Sequence, residues 1–119
     1  MSFEVFHRDI GTLVDFYVGV LGFQTSEADM AADHVVVHRD SVRIGCCRHD
    51  LADPSPRRPP DGCEIVLRVD DIQAEYDRVL SCGWPIADAL QDRPWGLKDF
   101  RDFDPAGQYL RVTNTTKTT

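Results

Sequence analysis

The chain has 119 residues, a size at which one domain buries its core without metal or disulfide staples. Hydrophobic residues at 42% and charged residues at 28% exclude wholesale disorder and collagen-like or coiled-coil architectures. Thirteen Lys and Arg against 20 Asp and Glu give a net charge of −7, which opposes approach to phosphate backbones, so nucleic acid is not an expected partner.

The opening "MSFEVFHRDIG" lacks a basic segment followed by an apolar run, and no apolar window approaches the roughly 18 residues a membrane span needs. A cytoplasmic protein with no membrane partner is expected. Cys46, Cys47, Cys63 and Cys82 lack paired CxxC spacing, so the expectation is four reduced, mostly buried thiols.

In chain order, "FEVFH" alternates as a strand does, and Asp9-Ile10 opens a helical pattern. Leu13, Phe16, Tyr17 and Val20 recur on one face of it, and Gly22 ends it. "FQTSEAD" reads as a weak strand, and "HVVVHR" with "SVRIGCC" as a hairpin. "RHDLADPSPRRPPDG" carries four prolines and is a linker. "CEIVLRV" is a strand, and Asp71-Ile72 opens a second helix with Ile72, Tyr76, Val79 and Leu80 on one face, ended by Gly83. "WPIADALQD" is a weaker strand, and "DFRDF" with "QYLRVT" closes as a hairpin around the Asp104-Pro105-Ala106-Gly107 turn.

The two halves repeat: Asp-Ile, then Val-Leu, then Gly-aromatic, with equivalent isoleucines at positions 10 and 72. The expectation is an α+β fold of two tandem β-α-β-β-β modules, too small to cover their sheets alone and so curved around a shared cleft. Module one spans 1–47, the linker 48–62, module two 63–113 and a tail 114–119, within a single domain.

"RDIGTLVDFYVGVLGF", "LRVDDIQAEYDRVLSCGW" and "PWGLKDFRDFDPAGQYLRV" resemble the vicinal oxygen chelate superfamily, which includes glyoxalase I, extradiol dioxygenases and bleomycin-resistance proteins. The resemblance runs from about Phe3 to Thr113, and the Pro-Trp-Gly and Asp-Pro-Ala-Gly stretches are most similar to the bleomycin-resistance branch. It implies a cleft that holds one divalent metal in the enzymes, on His or Glu from the first and last strands of each module. Here the matching positions are Ser2, Glu64 and Arg111, and "SVRIGCC" offers neither carboxylate nor imidazole. Cys46 or Cys47 would suit only a soft metal. A guanidinium repels a cation. The expectation is therefore no metal and no cofactor, with Glu64 and Arg111 paired where a metal would sit.

What remains is a ligand cleft. Trp95, Phe6 and Tyr109, with Phe100 beside them, are candidates to hold planar or cationic groups. Glu64, Val66, Arg111 and His34 are candidate polar or lining residues, and Met30 lies in a segment expected to cover the cleft mouth. No catalytic residue is assigned. The expected function is sequestration of a bleomycin-like or other aromatic or cationic antibiotic by a homodimer. The alternative is a metal-dependent lyase, dioxygenase or transferase of the same superfamily.

Overall fold

The computed structural model describes residues 2–25, 31 and 33–115. By its internal contacts the chain divides into two compact units. One comprises residues up to Ser55 with Pro105–Gly107, and the other Pro56–Asp104 with the residues from Gln108 on. Among the described residues, no helix is long and apolar enough to cross a membrane.

In the first unit, strand β1 (Ser2–His7) leads into helix α1 (Ile10–Asp15), which continues as a π-helical turn (Phe16–Val20). Asp9 starts the helix because its extended backbone turns its carboxylate onto the first free N–H groups, and Oδ1 accepts from the Gly11 N–H at 3.0 Å. Strands β2 (His34–Arg39) and β3 (Val42–Arg48) follow. The sheet order is β1-β3-β2, with β1 parallel and β2 antiparallel to β3. Val5, Val35, Val37, Ile44 and Cys46 are buried together with Leu13, Phe16 and Tyr17 of the helical segment. Each such side chain withdrawn from water stabilises the fold by about 1.5–3 kcal/mol. Strict alternation leaves the other face to Glu4, Phe6, His34, Val36, Gly45 and Cys47. The weak strand expected at "FQTSEAD" is reduced, in its described part, to one bridge between Gln24 and His38; residues 26–30 lie outside the described residues.

The second unit repeats this wiring with one strand more. It contains β4 (Glu64–Val69), α2 (Ile72–Ser81), β5 (Asp88–Asp92), β6 (Lys98–Phe103) and β7 (Tyr109–Asn114). The order is β4-β7-β6-β5, and β4 and β7 run parallel as β1 and β3 do. Asp71 caps α2 by accepting the Ala74 N–H at 3.0 Å. Ile72 and Val79 are buried, while Leu80, expected on that face, is exposed. Ile65, Leu67, Val69, Phe100, Leu110 and Val112 are buried as well.

The Asp104–Gln108 turn is closed from both ends: the Asp104 N–H donates to the Gln108 carbonyl at 3.0 Å, and Asp104 Oδ1 accepts the Gln108 N–H at 2.9 Å. Gly107 is required twice over. Its φ is +84°, and a Cβ there would lie 2.2 Å from the Ser55 carbonyl oxygen. All four cysteines are free, but only Cys46 is buried; Cys63 and Cys82 are exposed because they fall just before β4 and just beyond α2 instead of within a strand or helix face.

Candidate functional site

On the second unit's sheet, Glu64, Val66, Tyr109, Arg111, Asp99, Arg101 and Phe103 share one face, because Val66 lies opposite Arg111, Glu64 opposite Tyr109, and Arg101 opposite Arg111. The expected pairing of Glu64 with Arg111 is present: Arg111 Nε lies 3.2 Å from Glu64 Oε1, and both side chains are about a quarter exposed. The contact is ionic without an aligned hydrogen bond, so both buried atoms keep unused hydrogen-bonding capacity. A divalent cation does not fit where that guanidinium stands, since the charge nearest it would be a fixed positive one.

Beside this pair lies a charge network that sequence reasoning missed. Asp99 is fully buried, and its Oδ1 accepts from Arg93 Nε at 2.8 Å and from Arg101 Nε at 3.3 Å. Arg93 also donates to Asp88 Oδ2 at 2.8 Å. Burial works against the Arg101 charge, but the Tyr109 hydroxyl and the Asp99 carboxylate outweigh it and raise the guanidinium above its usual range. The alternation of "DFRDF" was the available signal: it puts Asp99, Arg101 and Phe103 on one face.

The aromatic candidates divide. Tyr109 is in the face but only 5% exposed, its ring packed edge-on against Phe103 at 5.5 Å. Arg58, from the segment read as a linker, covers the Phe103 ring at 4.9 Å. Trp95 stands in the turn between β5 and β6, where the Arg93 N–H donates to the Leu97 carbonyl, and it is 46% exposed. Phe100 does not belong with them. The register puts it on the opposite face, fully buried, with its ring 5.1 Å from that of Tyr76 on α2.

The face that Phe100 occupies also carries Asp102, whose Oδ1 accepts the Phe103 N–H at 2.7 Å while Oδ2 has no aligned partner. Burial pushes its carboxyl up to about 7, against the pull of the Phe103 N–H and the Trp84 indole.

On the first unit's sheet, Phe6 is half exposed, with its ring edge-on to His49 at 6.3 Å. His34 is brought to Glu4, with Nε2 3.0 Å from Glu4 Oε2, and the Cys47 thiol donates to the same oxygen at 2.9 Å. Burial, then Glu4, pushes the Cys47 thiol up to about 12, so it stays protonated as that donor. The Cys47 and His34 contacts hold Glu4 below the usual carboxylate range. Neither Glu4 nor Cys47 was among the residues expected to bind. The signal was their register with Gly45 and His34, invisible until β1, β2 and β3 are aligned. Met30 lies outside the described residues.

Two units that each place a first and a last strand side by side in parallel, with a helix on one face and a polar, aromatic-bearing other face, define a paired-module α+β class of protein. Residues 2–112 match the model of the Glyoxalase/Bleomycin resistance protein/Dioxygenase superfamily, and the chain belongs to that family. Comparison with curated protein sequences gives no match. Among solved structures, the fold is similar to a bleomycin resistance determinant encoded on the transposon Tn5, with TM-score 0.75 and 23% identity over 96% of this chain and 95% of that one. It is similar to TioX from Micromonospora sp. ML1, with TM-score 0.76 and 23% identity over 98% of both chains. It is also similar to a lactoylglutathione lyase from Agrobacterium tumefaciens, with TM-score 0.72 and 15% identity over 97% of this chain and 92% of that one.

Proposed function

We propose that the protein is a small-molecule binding protein that sequesters an aromatic or cationic antibiotic of the bleomycin class, as a cytoplasmic homodimer, without transforming it. The observation that carries this reading is the ion pair between Arg111 and Glu64, 3.2 Å apart, at the positions where the resemblance places metal ligands in the family's enzymes. A Lewis-acid reaction needs a cation with an open position there, and a guanidinium supplies charge without one. The exposed quarter of each of the Glu64 and Arg111 side chains offers charge to a ligand's polar groups. Trp95, exposed in its turn, offers a ring for stacking, and Val66 adds apolar surface. On the other unit, Phe6 on β1 is also an exposed ring. Structural likeness to the Tn5 bleomycin resistance determinant is in keeping with this reading.

Thermal-shift measurement against cationic glycopeptide and aromatic antibiotics tests it, because a ligand bound to the native state raises the midpoint by mass action. Bleomycin is expected to raise it in a concentration-dependent manner. A lyase, dioxygenase or transferase would instead show turnover that a chelator abolishes.

A further inference from the structure

We infer that Glu4, His34 and Cys47 form a binding site for one divalent transition-metal ion of the zinc class on the helix-free face of the β1-β3-β2 sheet. Each residue comes from a different strand, and one ligand atom from each lies within 4.8 Å of the others. Within that set, Oε2 of Glu4 is 3.0 Å from His34 Nε2 and 2.9 Å from Cys47 Sγ. Tetrahedral ligands at the usual zinc bond lengths stand about 3.5 Å from one another, so a small outward movement of flexible side chains admits the ion.

The sheet is built for this convergence at one further residue. Gly45 pairs with Glu4 on one side and Val36 on the other, and His34 pairs with Cys47 one step along the same face. A Cβ at position 45 would lie 1.8 Å from Glu4 Oε2 and 2.8 Å from His34 Nε2. The carboxylate and the imidazole meet directly over the one position in the strand with no side chain. A side chain there forces the carboxylate and the imidazole off that meeting point.

The donors are an imidazole nitrogen, a carboxylate oxygen and a sulfur. That mixture suits a borderline cation and does not suit magnesium or calcium, which take oxygen ligands. On binding, the Cys47 S–H bond breaks, its proton passes to solvent, and the sulfur lone pair ligates the ion. Thiolate and carboxylate then balance the two positive charges while His34 stays neutral. With three protein ligands, the fourth position is left to water or to a donor atom of a bound molecule. The site lies within one module and takes a ligand from β2. It is therefore distinct from the Glu64 and Arg111 positions and does not depend on the function proposed above.

Cobalt(II) titration of chelator-treated full-length protein tests the site. The expected result is saturation at one equivalent per chain, with a thiolate-to-cobalt charge-transfer band and the visible bands of four-coordinate cobalt, all removed by one equivalent of zinc. Cys47→Ser loses the charge-transfer band, while the double variant Cys63→Ser/Cys82→Ser keeps it. His34→Ala and Glu4→Gln each weaken binding by more than about a hundredfold, beyond the range for loss of an outer-shell contact, and Gly45→Ala by at least about tenfold, with circular dichroism confirming that each is folded. Absence of the band in folded wild type, its persistence in Cys47→Ser, or its loss in the double variant would overturn the proposal.

Discussion

Arg111 Nε lies 3.2 Å from Glu64 Oε1, reaching across from β7 to the neighbouring parallel strand β4. Because Val66 and not Glu64 is the direct partner of Arg111, the guanidinium reaches diagonally, and the contact is ionic without being a well-aligned hydrogen bond. Removing one partner leaves the other charge partly buried and alone. Arg111→Ala is expected to destabilise the fold by about 1–2 kcal/mol, below the range for fully buried pairs because both side chains keep some water. The paired Glu64→Gln/Arg111→Met variant should recover most of that loss. Urea unfolding of the single and double variants checks both outcomes.

The Asp99 carboxylate, shared by Arg93 and Arg101, is fully buried. Asp99→Ala removes the shared buried partner of two guanidiniums whose side chains are only 14% and 20% exposed, leaving Arg93 with Asp88 and Arg101 with the Tyr109 hydroxyl. The expected cost is about 3 kcal/mol, larger than for Arg111→Ala. A smaller loss at position 99 than at 111, by the same urea measurement, would contradict this ordering.

Asp102 makes stability depend on pH in the direction opposite to most carboxylates. Its folded pKa of about 7 lies above the ordinary value of 3.8, so between those values the folded chain binds more protons than the unfolded one. Its contribution is intact below the unfolded value and is lost as pH rises through about 7. Asp102→Asn, which cannot ionise, is expected to gain stability relative to wild type as pH rises from about 4 to 7. A wild-type minus variant difference that stays constant across that range, measured by urea unfolding, would refute the assignment.

Two glycines with similar backbone angles separate strain from collision. Gly83 has φ +72° and nothing within 4 Å of a built Cβ, whereas Gly107 has φ +84° and a backbone oxygen 2.2 Å away. Gly83→Ala should cost about 1 kcal/mol for the left-handed conformation alone. Gly107→Ala should cost at least about 2 kcal/mol more, since Ser55 belongs to backbone that must move. Thermal midpoints of the two variants decide it.

Much of this architecture is legible in the sequence. Asp9 and Asp71, each followed by an isoleucine and apolar residues at helical spacing, mark both helix starts, and the parallel course of the two halves follows from their repetition. Glu64 and Arg111 are readable together because their distances from Asp71 and from the Asp104 turn fix their strand positions. The misplacement of Phe100 has a simple cause. It follows Asp99 in a strand of period two, so the face that takes Asp99 and Arg101 must send Phe100 to the helix. The cluster of Glu4, His34 and Cys47 is spread over more than forty residues, and only strand register brings its members together. No local spacing announces it.

Trp95 is nearly half exposed, so its removal should cost little stability while removing stacking area from a ligand. Trp95→Ala is expected to weaken antibiotic binding by about 2 kcal/mol, the scale of an aromatic hot spot, with a change in unfolding free energy below about 0.5 kcal/mol. Equal affinity in calorimetric titrations of wild type and variant would remove Trp95 from the binding surface.

The central claim, binding without transformation, is tested most directly by incubating the protein with bleomycin at equal concentration, measuring the bound fraction by calorimetry, and recovering the ligand from denatured protein for mass spectrometry. The account predicts saturable binding at one site per chain and recovery of the antibiotic at unchanged mass. A ligand recovered with altered mass, or no heat of binding, would contradict it.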